Sequence, residues 1–281
     1  MHIQLALILG NMKVFISVDM EGISGLVNWK EPQEKVSREM TADLIAAIEG
    51  AFEGGADEVF VADSHALGMN IDISKLPVGT KLIKGFPRPY YMMAGLDESF
   101  DIAFFIGYHA PAGYINGLMD HTYSSSSFFA VKINGEVVGE TEINALYAGE
   151  KGVPVGLITG DHALYKFSKP RFPEFVEFVI TKEGFSKFSG LLYHPEEVRS
   201  KIKETAKKVV QRAPQIPVFK MPRPYEIELI FLDSLKADIV AQMPFVERTG
   251  GRSVKFTAKS AELMMRFINT AAILAASTKL F

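Results

Sequence analysis

Cysteine is absent from all 281 residues, which removes disulfides and thiolate metal ligands from consideration. Charge of one sign is also missing: 30 basic residues face 33 acidic ones, a formal net charge of −3. Such a balance gives no field to draw in nucleic acid or an anionic membrane, and neither is expected as a partner. Long apolar runs are lacking too. The stretch Leu5 to Leu9 is too short for a signal core or a membrane span, and it has no basic flank or small-residue cleavage site. The expectation is a cytoplasmic protein in which Met1–Asn11 is an upstream start or a loosely attached extension, because Met12 directly precedes the first strand pattern. HExxH, GxSxG and P-loop motifs do not occur, nor does an internal repeat.

What remains is organised as alternating strands and helices. Val14–Val18 is a short apolar run suited to a strand buried on both faces. Met40, Leu44, Ile45, Ile48 and Phe52 recur at helical spacing, and Gly54-Gly55 offers a stop. Val59–Ala62 then reads as a second buried strand, which makes a βαβ unit with parallel strands. Ile102–Ile106 and Val153–Thr159 supply two more strands, and Asn134-Gly135 marks a hairpin between them. "TEINALYAGEKG" and Pro195–Arg212 read as helices. A Pro-rich connector enters an alternating strand in "YEIELIF"; "VERTGGRSVKFTA" reads as a hairpin and Ser260–Ser277 as a closing helix. The predicted fold is a three-layer α/β/α core with a mostly parallel sheet and a mixed α+β C-terminal portion. The expected divisions are residues 1–11 as extension, 12–212 as catalytic core and 213–281 as the C-terminal portion packed upon it.

The strand ends share a chemistry. The first run ends in Asp19 and Glu21, the second in Asp63 and His65, the third in His109. In open parallel sheets these carboxyl ends converge on one edge, where ligands bind. Asp19 and Glu21, two residues apart in extended chain, point the same way at a spacing of roughly 6–7 Å. At an effective dielectric near 20 they repel by about 2–3 kcal/mol. Cations relieve that repulsion, and imidazole with carboxylate oxygen suits Zn²⁺, with Mn²⁺ or Co²⁺ less selectively. The surplus of acids points to two metals bridged by a carboxylate. Asp63 and Glu140, the latter just after the hairpin, are both candidates for a third carboxylate, and spacing does not choose between them. An acid at a strand tip is more often a cap, and a lone His more often structural; His2, His162 and His194 are read that way. The joint occurrence at three successive tips is what favours a site.

These residues resemble a known family. "SVDMEGISG" matches the S-x-D-x-E-G signature of the D-aminopeptidase family of binuclear zinc peptidases, and "ADSH", "GYHA", "MDHT" and "VGE" follow in that family's order. The resemblance runs from about Met12 to the C-terminus. It implies that Asp19 bridges two zinc ions, that Glu21 and His65 complete one shell, and that His109 and Glu140 complete the other, leaving Asp63 behind the metals. His121 then corresponds to a histidine beside the metals that acts as base or nucleophile, with Asp120 expected to raise its pKa. The implied activity is removal of the N-terminal residue from short peptides, D-Ala types among them, by a metal-bridged hydroxide. The implied assembly is a large homo-oligomeric ring, a decamer. The competing expectations are a binuclear phosphoesterase and a metal-loaded ring protein without activity. Aromatic and Met residues from Tyr90 to Leu96 are candidates for the pocket wall.

Overall fold

The structure is a computed structural model and describes residues 11–278. The expectation for Met1–Asn11 therefore lies, apart from Asn11, outside the described residues.

The chain opens with β1 (Lys13–Val18), α1 (Gln33–Gly54), β2 (Glu58–Asp63), β3 (Thr80–Ile83) and β4 (Ile102–Tyr108). A hairpin of β5 (Phe128–Ile133) and β6 (Glu136–Val137) precedes α2 (Glu140–Glu150), β7 (Val155–Asp161) and α3 (His162–Ser168). Then come β8 (Glu177–Ser186), β9 (Ser189–Leu192), α4 (Pro195–Gln211) and β10 (Tyr225–Phe231). The chain closes with α5 (Ser234–Val240), β11 (Glu247–Gly250), β12 (Ser253–Ala258) and α6 (Ala261–Ser277).

The main sheet runs in the order β3-β2-β1-β4-β7-β8-β9. All its pairings are parallel except the last, β8 with β9. Val14, Phe15, Ile16 and Val18 of β1 are fully buried, so helices cover both faces of the central strands, as a parallel sheet requires. On α1 the apolar stripe includes Val36, Met40, Leu44, Ile48 and Ala51. The helix stops where Gly55, at φ 106°, returns its N–H to Ala51 O and Phe52 O. α1 packs against α4, with Asp43 and Arg199 paired at 3.0 Å between them. α2 lies against β4 and β7 and contacts α6.

A second, antiparallel sheet has the order β11-β12-β10-β5-β6. Asn134 and Gly135 both adopt positive φ, 53° and 85°, as a two-residue hairpin turn of this hand demands. Because β10 pairs with β5, backbone hydrogen bonds cross the expected boundary at 212/213. No helix among the described residues is long and apolar enough to cross a membrane.

Strand order fixes where a ligand belongs. From β1 the chain winds outward through β2 to β3, then returns to β4 on the other side of β1 and winds the opposite way. The crevice between the carboxyl ends of β1 and β4 is a topological switch point.

Candidate active site

Asp19 follows β1 and His109 follows β4, so the two flank that crevice, while His65 comes from just beyond β2. Backbone bonds lock the tips together: Asp19 donates its N–H to Ile106 O at 2.8 Å and Gly22 to Gly107 O at 2.7 Å. Glu140 opens α2, and its position in the first turn suits a carboxylate. His121 arrives on the loop between β4 and β5.

All six sequence-derived residues meet. Asp19 Oδ1 lies 3.2 Å from His65 Nδ1, and Asp19 Oδ2 lies 3.6 Å from His109 Nε2. His65 Nδ1 is also 3.3 Å from Glu21 Oε2. Across the site, His109 Nε2 is 3.3 Å from Glu140 Oε1, and His121 Nε2 is 3.7 Å from the same oxygen. The potential ligand atoms thus form two groups, Asp19–Glu21–His65 and His109–His121–Glu140, each with its members within 4.8 Å of one another. The His109 and His121 rings stack at 4.2 Å, nearly parallel. His121 therefore sits closer to the second group than a residue standing beside it would need to.

The electrostatics show a cluster that draws positive charge. Burial, with the Glu21 carboxylate beside it, pushes Asp19 up to about 7. Burial also works against the charges on Glu21 and Glu140, but the neighbouring imidazoles outweigh it. Facing histidines hold Glu21 well below the usual carboxylate range, and His109 brings Glu140 down. Burial opposes charge on His109 too, yet Glu140, Glu21 and Asp19 raise it to about 10. His65 is raised in the same way by Glu21 and Asp19. His121 goes the other way, lowered by burial and by its His109 neighbour. Asp120 does not raise it: that carboxylate turns away to accept from Gly113 N–H at 2.6 Å and Lys187 Nζ at 3.0 Å. The expectation of an acid acting on His121 is corrected accordingly.

The donor set fits divalent metals. His109 Nδ1 lies 2.9 Å from Ala110 O and His121 Nδ1 lies 2.9 Å from Met119 O. With Nδ1–H donated to those carbonyls, each Nε2 presents a lone pair to the carboxylates. Two of the buried side-chain atoms left without a hydrogen-bond partner are Glu21 Oε2 and His109 Nε2. Lone pairs aimed at carboxylates and an orphaned carboxylate oxygen are what a cation between them would satisfy. With oxygen and imidazole nitrogen as donors and no sulfur, Zn²⁺, Mn²⁺ and Co²⁺ all suit.

The other candidates are placed differently. Asp63 is buried and accepts from Asn70 N, Asn70 Nδ2 and Ile71 N at 2.6–2.9 Å, so it braces the loop after β2. Its link to His65 is through the Asn70 amide, which also donates to His65 O. Ser64, the residue before His65, pairs its hydroxyl with that of Ser17 at 2.6 Å. His162 stacks on Tyr165 and His194 caps α4, both outside the site cavity. From the Tyr90–Leu96 segment Tyr91 alone lines the cavity, while Met92 and Met93 lie in the core.

Trp29 and Tyr123 enter without a sequence signal of their own and join Tyr91 from the expected wall segment. Trp29 donates Nε1–H to Glu21 Oε1, Tyr123 donates its backbone N–H to Glu140 Oε1, and Tyr91 forms a wall. The cavity they help enclose measures about 390 Å³.

Comparison with known proteins agrees with this geometry. The D-aminopeptidase family model matches residues 12–270. A D-aminopeptidase of Bacillus subtilis (strain 168) is 33% identical over 258 residues, covering 88% of this chain and 92% of the relative. A solved structure, the Zn-dependent D-aminopeptidase DppA from Bacillus subtilis, described as a self-compartmentalizing protease, superposes with a TM-score of 0.90. It is 30% identical, and the match covers 94% of this chain and 98% of that one.

Proposed function

The chain belongs to the D-aminopeptidase family, and from that premise we propose that it is a zinc-dependent aminopeptidase acting on short peptides, D-alanyl peptides among them. In this reading Asp19, Glu21, His65, His109 and Glu140 hold two ions per subunit. The observation that carries it is the divided carboxylate of Asp19, one oxygen toward His65 and the other toward His109. A carboxylate so placed would offer one oxygen to each of the two groups of ligand atoms.

Bound zinc supplies Lewis acidity and a water acidified toward neutrality. The chain supplies the rest. Its carboxylates and histidines would hold the ions, which would in turn offer a place to a free α-amine that an internal peptide lacks. Met119 O fixes the His121 tautomer, so Nε2 faces the reaction and takes a proton. A pKa below the ordinary histidine value keeps that nitrogen free at neutral pH, ready to pass the proton to the departing amine. Stacking on His109 fixes the plane of the ring.

The phosphoesterase reading is weaker because it needs a cationic side chain for the phosphate, and among the described residues no Arg or Lys lines the cavity. The relative described as self-compartmentalizing supports a homo-oligomeric assembly for this chain as well, and we propose a ring of ten subunits, to be counted by mass in solution. The deciding experiment offers zinc-loaded protein matched D-Ala and L-Ala dipeptides, alongside p-nitrophenyl phosphate. Cleavage of an alanyl peptide with two zinc ions per subunit is the expected result. A zinc-loaded protein that cleaves only the phosphoester, or nothing, overturns the proposal.

A further inference from the structure

The cavity of the candidate active site has an apolar annex. A groove of about 240 Å³ opens beside it and shares four of its walls, Ala66, Tyr91, Tyr123 and Ser124. Beyond that shared wall the chemistry changes. The first cavity is edged by Asp19, Glu21, His65, His121 and Glu140; among the described residues no Asp, Glu, Lys, Arg or His lines the annex. Its far side is Leu67, Phe86 and, from α6, Ala272 and Ile273. Leu67, Phe86 and Ile273 are 62%, 41% and 49% exposed, an apolar surface left open to water at one spot.

The shared wall is held in an unusual backbone conformation. Ala66, Tyr91 and Tyr123 all adopt left-handed φ, at 51°, 45° and 57°. Side-chain-bearing residues avoid this region, and such strain collects where a ligand is clamped. The wall is also tied to the site. Tyr123 N–H binds Glu140 Oε1 at 2.6 Å, its hydroxyl donates to Asn144 Oδ1 at 3.0 Å, and its ring packs on Tyr91 at 5.6 Å.

We infer that this annex is the subsite for the side chain of the second residue of the peptide, and that it selects an apolar one. The inference rests on the aminopeptidase reading. With the amine and the scissile carbonyl at the metal-ligand end of the first cavity, the residue after the cut leaves over the Tyr91–Tyr123 wall that the two cavities share. There it meets Leu67, Phe86 and Ile273, where a leucine or phenylalanine side chain leaves water and a charged one would meet no counter-charge. The amino-terminal side chain stays in the first cavity.

The test compares kcat/KM for alanylglycine, alanylleucine, alanylphenylalanine and alanylglutamate, in the alanine chirality the enzyme accepts, with leucylglycine as the control for the first position. Wild type, Ile273→Asp and Leu67→Ser are assayed with zinc, and thermal unfolding confirms that each variant is folded. Both positions are exposed enough for that. The expected preference for leucine over glycine at the second position is about tenfold or more in wild type. It falls below about threefold in Ile273→Asp, with the change carried by KM. Cleavage with no second-residue preference, a preference that survives both substitutions, or one that follows the first residue instead overturns the annex while leaving the activity standing. Failure to cleave any alanyl peptide overturns both.

Discussion

Trp29 donates its indole N–H to Glu21 Oε1 across 2.6 Å. Glu21 is almost wholly buried, and its other oxygen has no hydrogen-bond partner, so the indole sets which way this carboxylate points. The same ring meets His121 edge-on at 5.5 Å and Phe188 at 5.4 Å. One side chain thus braces a member of each candidate ligand group.

Trp29→Phe keeps an aromatic edge against His121 and removes the donor. A buried carboxylate oxygen then loses a charge-assisted hydrogen bond, a cost of about 1.5–3 kcal/mol in stability. Zinc affinity should fall, and kcat/KM for an alanyl peptide should drop roughly tenfold through the misdirected ligand. Zinc titration followed by urea unfolding checks both; unchanged affinity would mean that Glu21 is held by something other than the indole.

His121→Ala separates the two roles open to this residue. As the proton carrier it should cost at least about a hundredfold in turnover while two zinc ions stay bound. Its Nε2, 3.7 Å from Glu140 Oε1, is near enough to serve as a ligand instead, and then zinc content falls with activity. Asp19→Ala provides the reference, because losing the shared carboxylate should remove metal and turnover together. Metal analysis by mass spectrometry beside the peptide assay distinguishes the cases.

The site was legible in the sequence where strand tips carry their own chemistry. Asp19, His65 and His109 each end an apolar run, and parallel order brings such ends together. Glu140 was visible only as one of two candidates until the family likeness chose, because it reaches the site from a helix start and not from a strand. Trp29 and Tyr123 left no periodic mark: they lie in loops whose path is set by contacts distant in sequence. Among the elements, β3 is four residues long and sits at the sheet edge, and β8 mixes Lys182 and Glu183 into its apolar pattern. Neither carries the unbroken run that identifies a central strand. The β5–β6 hairpin was plain from Asn134-Gly135, yet its pairing with β10, some ninety residues on, depends on β-sheet partners that local pattern does not name.

Removing the metal should make stability depend on pH in a defined direction. Burial works against the His109 charge, but the facing carboxylates raise its pKa from the ordinary 6.5 to about 10. The folded state therefore keeps a proton that the unfolded chain has released. That contribution is whole below pH 6.5 and is lost as pH rises through 10. Asp19, raised to about 7 by burial and Glu21, acts in the same sense at lower pH, its contribution lost as pH rises through 7. Zinc takes the place of these protons, so the zinc-loaded protein lacks the decline and its zinc affinity climbs with pH. Urea unfolding in chelator and in excess zinc, at pH 6.5, 8 and 9.5, should give curves that diverge as pH rises. Parallel curves would show that the imidazoles do not hold the protons that zinc displaces.

Lys182 should leave the opposite signature. Its ammonium is fully buried on β8 and donates to Ile23 O at 2.8 Å and Leu26 O at 2.6 Å, pinning the loop that follows Glu21. Burial lowers its pKa to about 8, so between pH 8 and the ordinary 10.5 the unfolded chain binds more protons. Stability from this group rises with pH across that window. Lys182→Met abolishes the rise and strands two buried carbonyls, a loss of about 1–3 kcal/mol at pH 7 that widens toward pH 10. Zinc-saturated wild type and variant, unfolded in urea at both pH values, provide the comparison; a gap that narrows instead would show that the lysine is not held with a depressed pKa.

Gly22, the glycine that closes the S-x-D-x-E-G signature, explains itself by contact. A Cβ at this position would stand 1.9 Å from Tyr108 O and 2.6 Å from Gly107 C, both backbone atoms that no side-chain motion can clear. The close approach is the 2.7 Å bond from Gly22 N–H to Gly107 O that holds the β1 and β4 tips together. Gly22→Ala must push those tips apart, and with them Glu21 from His109, one residue either side of the contact. Overpacking of this kind costs about 1–3 kcal/mol or more, and displaced ligands should cost activity at least a hundredfold even where the protein still folds. Thermal unfolding, zinc content and the alanyl-peptide assay on the one variant report the three effects separately. A folded, fully metallated and active Gly22→Ala enzyme would show that the two strand tips need not touch for the site to form.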